Sequence, residues 1–175
     1  MRWTPVFATF ALAVACGSSD DEAPPPVVRG PIALGAPAAA CAVGDDTVDL
    51  EKHACLHARS GPFASATAGA EDDAPSVSKT HTAYDVTMGA SPSWVAYRPK
   101  GAKTYAFYTK PQVRIAVRGG SGSQLATSCE GPTTGACDLL PYATQVRLAA
   151  NEDVHVALYP AEGITSAMLV IEDVD

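Results

Sequence analysis

The sequence predicts a mainly β fold, an antiparallel β-sandwich of jelly-roll-like form with one short N-terminal helix. Three observations carry this. First, apolar and polar residues alternate with period two, as in Val113, Ile115 and Val117 against Gln112, Arg114, Ala116 and Arg118. The pattern recurs at Val154, Val156 and Leu158 against His155, Ala157 and Tyr159. Second, turn-forming residues interrupt such segments every ~8–12 residues after Gly61, the spacing of sandwich strands. Third, 14 Gly and 14 Pro in 175 residues weigh against a helical bundle, because both residues break helices.

The one expected helix is Asp45–Ser60. Asp45, Asp46 or Thr47 can cap it, its early acids suit the positive end of the helix dipole, and Gly61-Pro62 ends it. Leu50, Ala54 and Cys55 are expected to face the core. Strands are predicted over 62–66, 82–88, 94–98, 104–109, 112–118, 124–128, 145–149, 154–159 and 167–173. Gly119 to Ser123 reads as a Gly/Ser hairpin turn.

Charge and composition divide the chain. There are 12 Lys and Arg against 19 Asp and Glu, a net charge of −7, which excludes a generally basic nucleic-acid binder. Residues 17–40 hold no aromatic and are dominated by Ala, Pro, Gly, Ser and acids, too little apolar area to offset the entropy of ordering. A disordered tether over 16–40 and a single domain over 41–175 are therefore expected.

The first sixteen residues have one positive charge, Arg2, then a short apolar run ending Leu12-Ala13-Val14-Ala15-Cys16. This resembles a bacterial lipoprotein signal, departing from the family pattern at Ala13, where a larger aliphatic is usual. The resemblance implies removal of residues 1–15 and lipidation of Cys16 with diacylglycerol and a palmitate-type amide chain, enough for stable membrane anchoring. Gly17 and Ser18, with no Asp after the cysteine, are similar to an outer-membrane sorting pattern. The alternative is an ordinary secretory peptide cleaved nearby. No later segment approaches eighteen continuous apolar residues. The expected location is the outer membrane, lipid-anchored, facing periplasm or cell surface.

Four cysteines remain, Cys41, Cys55, Cys129 and Cys137. An even number in an exported chain points to disulfides, and the absence of CxxC argues against a cysteine metal cluster. Nearest-neighbour pairing, Cys41 with Cys55 and Cys129 with Cys137, is expected because each bond closes a short loop.

From about Tyr84 to Val174 the order of strands and turns resembles the small sandwich domains that accompany secreted bacterial proteases, the pre-peptidase C-terminal type. The features are the strand from Ala83 to Met88, Val113 to Val117 before a Gly-rich turn, Gln124-Leu125-Ala126-Thr127-Ser128, Gln145 to Leu148, Val154-His155-Val156-Ala157-Leu158-Tyr159-Pro160, and a final strand from Met168 to Ile171. The whole chain is also similar to short lipoproteins of high-GC Gram-negative bacteria. Both resemblances imply a binding or accessory module and transfer no site residues.

Two constellations carry possible chemistry. On a helix, His53 and His57 stand at i and i+4 on one face, and His81 precedes a strand. Imidazoles so spaced bind Zn²⁺, Cu²⁺ or Ni²⁺. Ala54, Cys55 and Leu56 between the two histidines leave out the glutamate of the HExxH zinc-protease helix. The second constellation is a run from Asp85 to Glu130 with no acid between them, which holds Arg98, Lys100, Lys103, Lys110, Arg114 and Arg118 together with Trp94 and Tyr97. A basic sheet face of Arg98, Lys110, Arg114 and Arg118 beside Trp94 and Tyr97 suits an envelope protein or anionic glycan; the alternative is solvated edge charge.

Other signatures fail. Gly119-Gly120-Ser121-Gly122-Ser123 lacks the final glycine of GxSxG, and Cys137, His155 and Met168 are too far apart for one blue-copper ligand loop. The sequence thus predicts no enzyme and no cofactor. The expectation is a lipid-anchored module binding an envelope partner and no nucleic acid, and the alternative is a lipoprotein holding a divalent metal through His53, His57 and His81.

Overall fold

The computed structural model describes residues 29–79, 81–89 and 91–174. The signal segment, Cys16 and the first part of the tether lie outside these residues. Helix α1 (Asp45–Ser60) is followed by nine strands: β1 (Phe63–Thr67), β2 (Ala83–Thr87), β3 (Ser93–Tyr97), β4 (Lys103–Lys110), β5 (Val113–Arg118), β6 (Thr127–Pro132), β7 (Tyr142–Leu148), β8 (Val154–Pro160) and β9 (Ser166–Asp173). They form a six-stranded sheet, β1-β2-β9-β4-β7-β6, and a three-stranded sheet, β3-β8-β5. The fold is a β-sandwich with one short helix. Among the described residues no helix is long and apolar enough to cross a membrane.

Period-two alternation builds the core. Val113, Ile115 and Val117 of β5, Val154, Val156 and Leu158 of β8, and Val95 of β3 pack against Val86, Phe107, Val146 and Leu169 of the large sheet. On the outer face of that sheet Ala54, Cys55 and Ala58 of α1 pack on Ala83, Ala106, Tyr108, Ala143 and Val170. Helix α1 is buried on that face alone, since Leu56 and Lys52 are exposed. Its cap is Gly44, in extended conformation, with no side-chain capping bond; Asp45 and Asp46 sit in the first turn instead of capping.

Among the described strands every pairing is antiparallel except β1 with β2, which is parallel. A parallel pair needs a crossover. Here residues 68–82 leave the large sheet and run along β3, the edge of the small one. Gly69 and Trp94 exchange backbone bonds of 3.1 and 3.0 Å, and Val77 N–H donates to the Ala96 carbonyl at 2.8 Å. The same segment therefore covers an edge that would otherwise be open.

Strand β6 begins three residues later than predicted. Residues 124–125 are used differently: Leu125 N–H donates to the Val117 carbonyl at 2.8 Å, closing the Gly119–Ser123 turn, and the Gln124 amide reaches the backbone of Ala33.

The domain also begins earlier than Cys41. Residues 29–40 contain no helix or strand, yet they lie against the sandwich rather than away from it. Tyr159 Oη donates to the Ile32 carbonyl, Arg114 Nη2 to the Gly35 carbonyl at 3.1 Å, and Glu130 N–H to the Ala39 carbonyl at 3.0 Å. Ile32 packs with Trp94, Ala116 and Ala157 on the outer face of the small sheet. Local composition cannot reveal this, because the apolar partner surface comes from strands 60–125 residues away.

The disulfides are Cys41–Cys129 and Cys55–Cys137, not the nearest-neighbour pairs. They span 88 and 82 residues, tying the start of the domain to β6 and the middle of α1 to the loop before β7. Loops of this size each restrict the unfolded chain by about 4–5 kcal/mol in the chain-entropy model. Peptide mapping under non-reducing conditions is expected to recover the 41–129 and 55–137 cross-links; recovery of 41–55 would contradict this topology.

Candidate metal centre

Helix α1 lies on the large sheet with one side toward β9, and this brings three histidines and a carboxylate to one point. His53 and His57 come from α1, His81 from the end of the crossover, and Glu172 from β9. One ligand atom from each lies within 4.8 Å of every other. His57 is buried, Glu172 is only 4% exposed, and His53 and His81 border solvent.

The distances are specific. His57 Nε2 is 3.3 Å from His53 Nε2 and 3.2 Å from His81 Nδ1. Zinc–nitrogen bonds of about 2.0–2.1 Å place ligand atoms roughly 3.3–3.4 Å apart at the corners of a tetrahedron. The remaining nitrogens of the helix histidines face oxygens: His53 Nδ1 is 3.1 Å from Glu172 Oε2, and His57 Nδ1 is 3.4 Å from the Gly61 carbonyl. Donation from Nδ1–H in both rings leaves both Nε2 lone pairs facing the cluster, the arrangement that outer-shell acceptors impose on metal-ligating histidines. A plain hydrogen-bonded cluster serves these atoms poorly. The one lone pair of His57 Nε2 cannot accept from two neighbours at once, whereas a central cation satisfies all three.

Local backbone features support the geometry. Gly61 ends the helix at φ 75° with its N–H on the His57 carbonyl at 2.9 Å. A Cβ there would stand 2.8 Å from the Phe63 ring and 2.9 Å from its nitrogen, so glycine is required where the carbonyl turns toward His57. His81 has φ 53°, a left-handed conformation of order 1 kcal/mol above the ordinary one.

Glu172 is the group the sequence did not single out. It follows Met168 and Val170 in the alternation of β9, so it lies on the face that α1 covers. Burial pushes its carboxyl above the usual carboxylate range, opposed by His57 and His81. Oε2 has His53, but Oε1 is buried without a hydrogen-bond partner, 3.7 Å from His57 Nε2. A buried carboxylate oxygen without a donor is costly. No sequence pattern marks it, because only the docking of α1 makes an alternating strand position into a buried acid. Glu51 was missed for the same reason; it is buried on α1 and accepts from Thr134 N–H at 2.7 Å.

The expected basic residues do not form one continuous face. Trp94 and Tyr97, three residues apart on one strand, point to opposite sides. Trp94 lies on the outer face beneath Ile32, and Tyr97 lies in the core 5.5 Å from Tyr105 and 6.0 Å from Phe107 between ring centroids. Arg118 is buried, 2.7 Å from Glu71 and stacked over Trp94 at 5.8 Å. Arg114 donates to the buried Glu130 at 2.6 Å. Arg98 meets Asp153 at 3.4 Å, and Lys103 meets Asp173 at 2.8 Å. Lys110 is exposed at the end of β4 in the large sheet, while Arg114 and Arg118 are in the small one. The run lacks acids in sequence, but the fold supplies them from Glu71, Glu130 and Asp153.

Because the folded carboxyl of Glu172 titrates above its unfolded value, its contribution to stability is fully present at low pH and is lost as pH rises through the folded value. Glu172→Gln is therefore expected to stabilise the metal-free protein at pH 8. The gain should be smaller at pH 4.5; equal or reversed gains in urea unfolding at the two pH values would contradict the burial argument. No protein-family model matches the chain, and no curated protein matches it significantly.

Proposed function

We propose that the protein is a lipid-anchored envelope protein that binds one divalent transition-metal ion, Zn²⁺ or Cu²⁺, through His53, His57 and His81, with Glu172 beside them. The observation that carries this reading is the approach of His53 Nε2 and His81 Nδ1 to 3.3 and 3.2 Å from His57 Nε2, next to a buried carboxylate oxygen with no donor among the described residues. Imidazole suits Zn²⁺ and Cu²⁺, and the carboxylate offsets part of the charge of a dication. The pairing of the arginines removes the support for an anionic partner on the basic face, so the metal reading takes precedence. The protein acts by holding the ion.

The anchor is supported by Leu12-Ala13-Val14-Ala15-Cys16. Gly17 and Ser18 after the cysteine support the outer membrane as its location, and two disulfides suit an oxidising compartment. The similarity to pre-peptidase C-terminal domains accords with a binding role.

Titration calorimetry with Zn²⁺ or Cu²⁺ at pH 7.5 is expected to give one ion per chain. Metal at 100 times its Kd should stabilise the fold by about 2.7 kcal/mol. His57→Ala should abolish uptake, and affinity should fall as the pH is lowered, because a metal-ligating imidazole must be neutral. Absence of uptake by the wild-type protein would overturn the reading. Separately, Cys16→Ser is expected to move the protein from the membrane fraction to the soluble fraction.

A further inference from the structure

The geometry points to a three-histidine metal centre whose fourth coordination position is open to a small exogenous anion, with Glu172 acting through His53 rather than as a fourth ligand. This rests on the metal reading and concerns what else binds at that site.

Three imidazole nitrogens converge on one point: His53 Nε2 and His81 Nδ1 each approach His57 Nε2. Their contacts of 3.3 and 3.2 Å already match the edge of a tetrahedron, whereas Glu172 Oε1 stands 3.7 Å from His57 Nε2 and Oε2 is engaged by His53 Nδ1 at 3.1 Å. A carboxylate accepting from the far nitrogen of a ligating imidazole orients that ring and raises its basicity. Three protein ligands with a vacant corner is the pattern of exchangeable sites, and four protein ligands that of closed structural ones. The fold has no need of a metal clasp, since Cys55–Cys137 already holds α1 between its two histidines.

The vacant corner has an approach. A cavity of about 110 Å³ meets the cluster at His81 and Glu172 and is lined further by Tyr97, Lys100, Tyr105 and Asp173. Sites for drug-sized ligands run to about 300–1,000 Å³, so this one takes a ligand of a few heavy atoms. Lys100 is exposed, so the approach connects with solvent; it is the one Lys or Arg of the lining against Glu172 and Asp173, and the charge that would hold an anion is that of the metal itself.

The test uses Co²⁺ as metal and azide as the small anion, followed by visible absorption. Wild-type protein is expected to bind Co²⁺ and to show a saturable spectral change with azide. Glu172→Gln is expected to keep the metal, weakened by roughly 10–100-fold as for loss of an outer-shell partner, and to keep the azide response. A Co²⁺ complex whose spectrum ignores azide, or a Glu172→Gln protein that no longer holds Co²⁺, would overturn the open corner while leaving the metal reading intact. No Co²⁺, Zn²⁺ or Cu²⁺ uptake by wild type would overturn both.

Discussion

A carboxylate buried beneath a helix needs either a donor for each oxygen or a cation. Glu172 has one donor, His53, and the rest of that corner answers the deficit. Helix α1 contributes two imidazoles one turn apart, the end of the crossover contributes a third, and Gly61 turns its carbonyl onto the far nitrogen of His57. The site depends on the seating of α1, which is fixed by an alanine-rich apolar face and by Cys55–Cys137. Small side chains let the helix approach the sheet closely, bringing His57 to Glu172 instead of leaving it in water.

The opposite side of the sandwich handles charge by compensation. Arg118 and Arg114 project outward from β5, yet they are covered by residues 29–40 and neutralised by Glu71 and Glu130. Glu71 also draws in His155 and Arg29, so a single carboxylate from the crossover joins the strap formed by residues 29–40 with β5 and β8. The two faces thus differ in kind. One gathers cations onto acids and closes over them; the other gathers three imidazoles around a buried acid.

Much of the fold was legible. The helix bounds hold at both ends, because Gly61 stops the helix and the polar run from Asp45 begins it. Seven of the nine strands begin within one residue of their predicted positions, read from alternation and intervening turns, while β6 begins three residues later and β7 three residues earlier. The misreadings share one cause. Disulfide partners, strap contacts and the parallel β1–β2 pair all depend on segments far apart in sequence, and short loops or local composition are poor guides to them. The three histidines could be named because helical periodicity couples His53 to His57 and their chemistry narrows the choice; the carboxylate beside them could not.

By itself the sequence determined the class of fold, the bounds of the helix, the rhythm of the strands and the identity of the imidazoles, since each follows from local periodicity and side-chain chemistry. Only tertiary structure decided which cysteines bond, which charges cancel and which acid stands under the histidines. Those are questions of who meets whom across two sheets. Docking of distant surfaces answers them, and one-dimensional spacing carries no record of it.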